Sequence, residues 1–215
     1  MVDETTFVRW GQVGRYYIDI RIPVESADAD HLDRMGFAGH IDVGGCICEW
    51  HRAIDFQPPN GSRDVARLAL DGDKLQESGN VEIGSSANYE ETFIRIKAGA
   101  RRLVALQRRD GRAQLLMIND IFLYAHQRRK PLPQQSSVRD FIAASSGTDG
   151  LEEIYACDIS MGTIEMGRNQ LVISHSVNPA REGCLLFDSG MVEQADWRVV
   201  HGAIDDETRK TICHA

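Results

Sequence analysis

The chain has 215 residues, of which 42% are hydrophobic and 26% charged, and its formal net charge is −8. This length corresponds to one large domain or two small ones, either of which can bury a core without disulfide bonds. The composition excludes an intrinsically disordered chain. The acidic balance argues against a general nucleic-acid-binding protein, which needs a basic surface.

The amino-terminal segment and the cysteines predict a cytoplasmic protein. Residues 1–10 are acidic and lack an apolar stretch, so they do not resemble a signal peptide. No segment approaches the ~18 consecutive apolar residues of a membrane-spanning helix. The cysteines number five, and an odd count without a signal peptide favours reduced thiols. We therefore expect neither a membrane nor a nucleic-acid partner.

Alternation of apolar and polar residues predicts β-strands through most of the chain. In residues 17–22 the three isoleucines share one face, and Tyr17, Asp19 and Arg21 share the other. Residues 46–56 divide in the same way, with Cys46, Cys48, Trp50, Ile54 and Phe56 on one face and Ile47, Glu49, His51 and Asp55 on the other. We predict strands at residues 6–10, 15–22, 37–43, 46–56, 65–70, 74–77, 80–84, 89–97, 102–108, 113–118, 121–127, 153–160, 163–166, 170–176, 183–188 and 191–200.

One segment interrupts this pattern. Residues 130–137 are polar and contain two prolines, which is typical of a linker. Ser137 and Asp140 form a capping box before an apolar stretch, which predicts a short helix at 137–145. We therefore expect a β-barrel domain at 1–130 and a linker with a short helix at 131–150. Residues 151–215 then form either a smaller β domain or strands that complete the barrel.

Many antiparallel strands with a single helix predict an all-β, barrel-like fold. The signatures of P-loop, dinucleotide-binding, zinc-protease and α/β-hydrolase proteins do not occur in the sequence. The seven histidines include no pair at strand or helix ligand spacing, and on a strand His51 points away from Cys46 and Cys48. We therefore predict no metal and no cofactor.

The polar strand faces supply the candidate catalytic residues. If these faces line the interior of a barrel, their carboxylates, imidazole and guanidinium suit general acid–base chemistry. The candidate catalytic residues are Asp19, Arg21, His51, Asp55 and Glu91. If the polar faces instead point to solvent, the apolar faces line a cavity for one small ligand. The candidate ligand-binding residues are Tyr17, Trp50, Phe93, Tyr124 and His126.

A basic segment lies within this acidic chain. Residues 101–130 contain eight Lys and Arg against two Asp, a local charge of +6. If its arginines gather at one end of the barrel, they can steer an anionic ligand. The alternative is a set of charged turns that keep loops and sheet edges solvated.

Four short blocks resemble a group of largely uncharacterised bacterial and fungal proteins with lipocalin-like barrels. They are Tyr17-Ile-Asp-Ile-Arg-Ile-Pro23, Glu49-Trp-His-Arg-Ala-Ile-Asp-Phe-Gln-Pro58, Phe122-Leu-Tyr-Ala-His126 and Arg181-Glu-Gly183. The resemblance implies a β-barrel of the calycin type, with a second β domain after the linker as a further option. It implies no reaction and no catalytic residues.

We therefore expect an intracellular barrel that binds a small, largely apolar ligand, with or without an anionic group. The alternative is a cofactor-independent acid–base enzyme, such as a lyase, isomerase or hydrolase, that acts in the barrel cavity. A third hypothesis is a protein-interaction module without a pocket. A homodimer is the default oligomer, since closed two-fold dimers are the commonest soluble assemblies.

Overall fold

In a computed structural model of the protein, most of the chain forms two antiparallel β-sheets with few helices. The structure describes residues 5–24, 31–59, 61–96, 102–134, 137–144, 149–165, 168, 170–187 and 196–203. The all-β prediction is confirmed. Within those ranges, no helix is both long enough and apolar enough to span a bilayer.

The first sheet is a meander of seven strands in which each strand pairs with the next. Its strands are β1 (Thr6–Val13), β2 (Tyr16–Pro23), β3 (Met35–Gly44), β4 (Ile47–Asp55), β5 (Asp64–Asp71), β6 (Lys74–Gly79) and β7 (Tyr89–Ile94). Gly72 has a φ of 60° in the tight turn between β5 and β6, a conformation that glycine adopts without strain. An Asp-Gly pair between two apolar segments is a strong sequence signal for a hairpin, and the predicted strands 65–70 and 74–77 are joined in this way at Asp71-Gly72.

The second sheet has six strands in the order β12-β11-β10-β9-β8-β13. They are β8 (Leu103–Arg108), β9 (Ala113–Ile118), β10 (Ile121–His126), β11 (Asp158–Glu165), β12 (Gln170–Ser176) and β13 (Trp197–His201). The last strand returns to pair with the first strand of this sheet. The first sheet ends with β7 at Ile94, and the second begins with β8 at Leu103. The division of the chain into domains at 1–130, 131–150 and 151–215 stays a prediction.

Two short helices, α1 (Val138–Ala144) and α2 (Asp149–Tyr155), join β10 to β11. The first confirms the helix predicted at 137–145, and the Ser137 hydroxyl accepts a hydrogen bond from the Asp140 backbone N–H at 3.1 Å. The second shows that the strand predicted at 153–160 is wrong in its first half. Ile154 is fully buried, whereas the preceding Glu152 and Glu153 are more exposed. So short a pattern of polar and apolar residues fits a helix as well as a strand.

Two other predicted strands, 80–84 and 183–188, also differ from the structure, and a third is described only in part. Residues 81–83 form a 3₁₀ turn, because the Asn80 side chain accepts the Glu82 backbone N–H at 2.7 Å. The segment 183–188 contributes only one bridge, from Leu185 to Val172. The predicted strand 191–200 begins outside the described residues, and β13 covers its end. After Asn80, a local side-chain hydrogen bond thus stabilises a turn where the sequence pattern alone favours a strand.

The main hydrophobic core lies between the two sheets. The three isoleucines of β2 pack there with residues of the second sheet such as Leu116, Leu123 and Ile159. Each sheet buries a further cluster on its opposite face, so both of its faces are covered in part. The alternation predicted in β2 is confirmed, but its polar face does not point to solvent. Tyr17 belongs to the further cluster of the first sheet, and Asp19 on the same face is only 3% exposed.

The first sheet curls until its last strand approaches its first two. Arg21 on β2 donates two hydrogen bonds to the Glu91 carboxylate on β7, at 2.9 and 3.1 Å. The rings of Trp10 on β1 and Phe93 on β7 lie 5.5 Å apart. Because β1 and β7 are the two edges of the sheet, these contacts make it a half-barrel. Its concave side is called the inner face below.

The arginines of the basic segment, residues 101–130, are not all available to bind an anionic ligand at one end of the barrel. Arg108 forms an ion pair with Asp110 at 2.5 Å. Arg128 is only 5% exposed, and it donates hydrogen bonds to the backbone carbonyls of Asp55 at 3.0 Å and Phe56 at 2.8 Å. Arg108 thus pairs with a neighbouring carboxylate, and Arg128 links the end of β4 to the second sheet by hydrogen bonds.

Candidate functional site

The inner face carries the polar residues of β2 beside aromatic side chains. In the strand registers, Asp19 lies directly between Trp10 on β1 and Phe37 on β3. Residues directly opposite each other in antiparallel strands project to the same side of a sheet. The register therefore places Asp19 among rings, where its carboxylate loses most of its hydration.

The first polar group on this face is the chain Asp19–Arg21–Glu91. The Arg21 Nε atom donates to Asp19 Oδ1 at 3.0 Å, while the two terminal nitrogens bind Glu91. Burial raises the pKa of Asp19 to about 6, although the Arg21 guanidinium acts in the opposite direction. Asp19 can therefore exchange a proton near neutral pH.

The second polar group pairs a carboxyl with a phenol. The Tyr89 hydroxyl donates a hydrogen bond of 2.6 Å to Glu77 Oε1. Glu77 is 7% exposed, and burial raises its pKa to about 7. The sequence analysis missed Glu77 as a site residue. Its strand was predicted, but only the pairing of Glu77 with Glu91 shows that it shares the inner face.

The third group centres on Arg52, which bonds Asp64 at 2.6 and 2.8 Å and Asp55 at 3.3 Å. Its guanidinium carbon lies 3.7 Å from the centre of the Phe37 ring, a cation–π contact. These contacts fix the guanidinium between two carboxylates and a ring. Arg52 was not a candidate residue, because strict alternation places it on the same face as the apolar residues Trp50 and Ile54.

A β-bulge explains why that predicted face is wrong. Gly39 pairs with Arg52 and Ala38 pairs with Ile54, so Ala53 is an extra residue on β4. The alternation shifts by one residue at this point. Asp55 therefore joins Arg52 on the inner face, while Ile54 packs between the two sheets.

Two buried donors on the inner face lack partners. The Tyr17 hydroxyl and the Trp10 indole N–H make no hydrogen bond with any described residue. Tyr17 is fully buried, which raises the pKa of its phenol above the usual value. Trp10 packs against Trp50 at 6.2 Å between ring centres. Unsatisfied buried donors are rare in folded proteins, because each costs about 1–3 kcal/mol.

The structure brings together only part of each predicted set. Of the candidate catalytic residues, the inner face holds Asp19, Arg21, Asp55 and Glu91. His51 lies on the opposite face of β4, directly across from His40 on β3. The imidazole expected among the carboxylates is therefore absent from the part of the inner face that the structure describes.

The candidate ligand-binding residues are divided between the two sheets. Tyr17, Trp50 and Phe93 lie on the inner face. Tyr124 and His126 belong to β10 of the second sheet. There Tyr124 packs edge-on against Phe187 with ring centres 5.7 Å apart, and burial lowers the pKa of half-buried His126. Strand alternation predicts which residues of one strand share a face, but it does not predict which sheet the strand belongs to.

Carboxyl groups outnumber guanidinium groups among the described residues of the inner face. The acids are Asp19, Asp55, Asp64, Glu77 and Glu91, and the arginines are Arg21 and Arg52. Both arginines are already engaged by carboxylates. The face therefore offers aromatic surface, unpaired donors and three carboxyl groups whose pKa burial raises, those of Asp19, Asp55 and Glu77, but no uncommitted cation on the strands described.

Comparisons with known proteins support the fold and leave the function open. No protein-family model matches the sequence, and no curated protein matches it. The solved structure of an uncharacterised protein from Saccharomyces cerevisiae is similar, with a TM-score of 0.53 and 13% sequence identity. The match covers 94% of this chain and 93% of the yeast chain. At this identity the likeness shows the fold alone.

Proposed function

We propose that the inner face of the first sheet binds a small, largely apolar molecule that carries a hydrogen-bond acceptor. The observation that supports this most directly is the pair of unsatisfied donors, the Tyr17 hydroxyl and the Trp10 indole N–H. A bound acceptor would satisfy them, while the rings of Trp50 and Phe93 would pack against the apolar part.

The charge of the inner face narrows the ligand class. Carboxyl groups are in excess, and the guanidiniums of Arg21 and Arg52 are already paired. An anionic group would meet net repulsion in a site of low dielectric constant. The proposal therefore favours a neutral ligand, or one with a positive group, over the anionic ligand considered from the sequence.

The proposal also includes the barrel type, the cellular location and the oligomeric state expected from the sequence. A curled sheet with a concave face is compatible with a lipocalin-like barrel of the calycin type, whose interior holds one small ligand. A cytoplasmic location agrees with the reduced cysteines inferred from the sequence. A homodimer remains the default assembly.

Replacing Tyr17 by phenylalanine tests the proposal. Tyr17→Phe removes an unsatisfied hydroxyl, so the free energy of unfolding of the unliganded protein should rise by about 1 kcal/mol. Binding of the neutral dye Nile red, an apolar molecule with a carbonyl acceptor, should weaken roughly fivefold, as expected for one lost hydrogen bond. Chemical denaturation and fluorescence titration measure the two quantities.

Tyr16→Phe is the matched control, since Tyr16 is the adjacent residue and packs against the core between the sheets. It should leave dye binding unchanged. Equal dye affinity in the wild type, Tyr17→Phe and Tyr16→Phe would exclude a ligand acceptor at Tyr17. A wild type that binds no dye would argue against the site as a whole.

Acid–base catalysis is the second candidate, and the two carboxyl groups Asp19 and Glu77, with pKa values of about 6 and about 7, favour it. Native mass spectrometry of the purified protein identifies any small molecule that it retains. ¹H NMR then shows whether the wild type converts that compound. Conversion that disappears in Asp19→Asn and Glu77→Gln would support an enzyme, whereas unchanged compound would support binding alone.

A further inference from the structure

The outer face of β3 and β4, opposite the inner face, gathers two histidines and an aspartate. His40 and His51 are directly paired across the strands, and their rings stack with centres 4.7 Å apart. Asp42 follows His40 by two residues, so it projects to the same side. His40 and Asp42 thus lie on one face of β3, and the register of β3 with β4 brings His51 beside them.

Their donor atoms converge on one point. One ligand atom from each of His40, Asp42 and His51 lies within 4.8 Å of the other two. His51 Nε2 is only 3.1 Å from Asp42 Oδ2, yet it is shielded from solvent and makes no aligned hydrogen bond. This imidazole nitrogen therefore has no hydrogen-bond partner among the described residues.

The remaining contacts leave these atoms available. Arg15 binds the other oxygen of Asp42, Oδ1, at 2.5 Å, and so orients Oδ2 towards His51. Glu49 lies opposite Asp42 in the register, but Arg63 holds both of its oxygens, at 2.9 and 2.7 Å. The cluster thus presents two imidazoles and one carboxylate oxygen, with a bound carboxylate beside it.

We propose that His40, Asp42 and His51 bind a divalent transition-metal ion such as Zn²⁺. Two imidazoles and a carboxylate are donors that Zn²⁺ accepts at about 2.0–2.2 Å, with a fourth position left for water. Donors around a tetrahedral ion lie roughly 3.3 Å apart. The side chains must therefore close by about 1 Å or more, which their partial exposure permits.

Sequence spacing relates only His40 and Asp42, which are two residues apart on one strand, and it does not relate either of them to His51. His40 and His51 are eleven positions apart, on opposite sides of a hairpin. Their meeting depends on the register of β3 with β4, which the bulge at Ala53 leaves intact at this point. The cluster lies on the opposite side of the sheet from the proposed ligand site, so either proposal can fail without the other.

Isothermal titration of Zn²⁺ into the metal-free full-length protein tests the site. We expect one equivalent to bind, and His40→Ala and His51→Ala each to weaken binding by at least roughly tenfold. His31→Ala is the matched control, because His31 is an exposed histidine in a separate 3₁₀ turn. It should leave the affinity unchanged, and circular dichroism checks that each variant retains the fold.

A second measurement requires no substitution. In ¹⁵N-detected NMR of the histidine side chains, Zn²⁺ should shift the ring nitrogens of His40 and His51 while those of His31 stay in place. Perturbation of both rings at one equivalent supports the site. The proposal is overturned if the wild type binds no more Zn²⁺ than the alanine variants, or if Zn²⁺ leaves both rings unperturbed.

Discussion

Asp19 and Glu77 show how burial controls a carboxyl group even when a partner is present. Asp19 accepts a hydrogen bond from a guanidinium at 3.0 Å, and Glu77 accepts one from a phenol at 2.6 Å. Both pKa values are nevertheless raised, because the loss of hydration exceeds the stabilisation of the charged form by these partners. The carboxyl groups of Asp19 and Glu77 on the inner face therefore bind protons near neutral pH.

These raised pKa values predict the pH dependence of folding. A carboxyl group whose folded pKa lies above its unfolded pKa binds more protons in the folded state, so stability falls as pH rises between the two values. For Glu77 that window runs from 4.5 to about 7. Glu77→Gln should remove this loss, which is about 3 kcal/mol, and make the curve of unfolding free energy against pH less steep above the Asp19 window.

Urea denaturation from about pH 4 to about pH 8 measures this difference. Asp110→Asn is the control, because Arg108 lowers the pKa of Asp110 to about 2 and its titration lies below the window. Parallel curves for the wild type and Glu77→Gln would contradict a raised pKa at Glu77.

At the scale of elements, both sheets use a β-bulge opposite a glycine. Gly39 lies at the register shift between β3 and β4, and Gly162 lies at the shift between β11 and β12. A Cβ atom at Gly39 would overlap the His51 carbonyl oxygen, and one at Gly162 would overlap the Val172 carbonyl oxygen. Each bulge thus depends on a backbone approach that only glycine allows, and the first one turns Asp55 inwards.

Gly39→Ala should therefore destabilise the protein by about 3 kcal/mol, because β3 and β4 must separate to admit the methyl group. Gly44→Ala provides a control on the same strand, where an added Cβ meets no atom within 4 Å. It should be neutral or slightly stabilising. Thermal unfolding compares the two, and equal melting temperatures would contradict the close approach at Gly39.

At the scale of the whole molecule, the curl of the first sheet decides where the polar residues lie. Arg21 and Glu91 are seventy positions apart in the chain, and they meet because β7 approaches β2 across the half-barrel. Their side chains are 21% and 35% exposed, so solvent screens the pair only in part. This ion pair links β2 to β7, and the contact of Trp10 and Phe93 links the two edge strands, β1 and β7.

A double-mutant cycle with Arg21→Met and Glu91→Gln measures this junction. We expect a coupling energy of about 1–2 kcal/mol, since the bonds are bidentate and charge-assisted. The exposed pair Arg139 and Asp33, with side chains 52% and 56% exposed, is the control and should give about 0.5 kcal/mol or less. A value for Arg21 and Glu91 no larger than that of the control would indicate that the sheet is open in solution.

Local patterns were sufficient for much of the architecture. The alternation in residues 17–22 identified both faces of β2, and the Asp71-Gly72 turn and the capping box at Ser137 marked a hairpin and a helix correctly. These features depend on neighbouring residues only. The helix α2 and the turn after Asn80 were missed, because short apolar segments fit several structures. In the turn, the hydrogen bond from the Glu82 backbone N–H to the Asn80 side chain favours the 3₁₀ conformation over a strand.

The sequence by itself determined that the protein is all-β, and that Tyr17, Asp19 and Arg21 share one strand face. Only the tertiary structure decided that this face is concave and buried, that Glu77 and Arg52 belong to it, and that His51 faces His40 on the other side. The physical reason is that alternation specifies relative sides within one strand. Strand register, a one-residue bulge and the curl of the sheet specify which strands share a side, and these depend on contacts between distant parts of the chain.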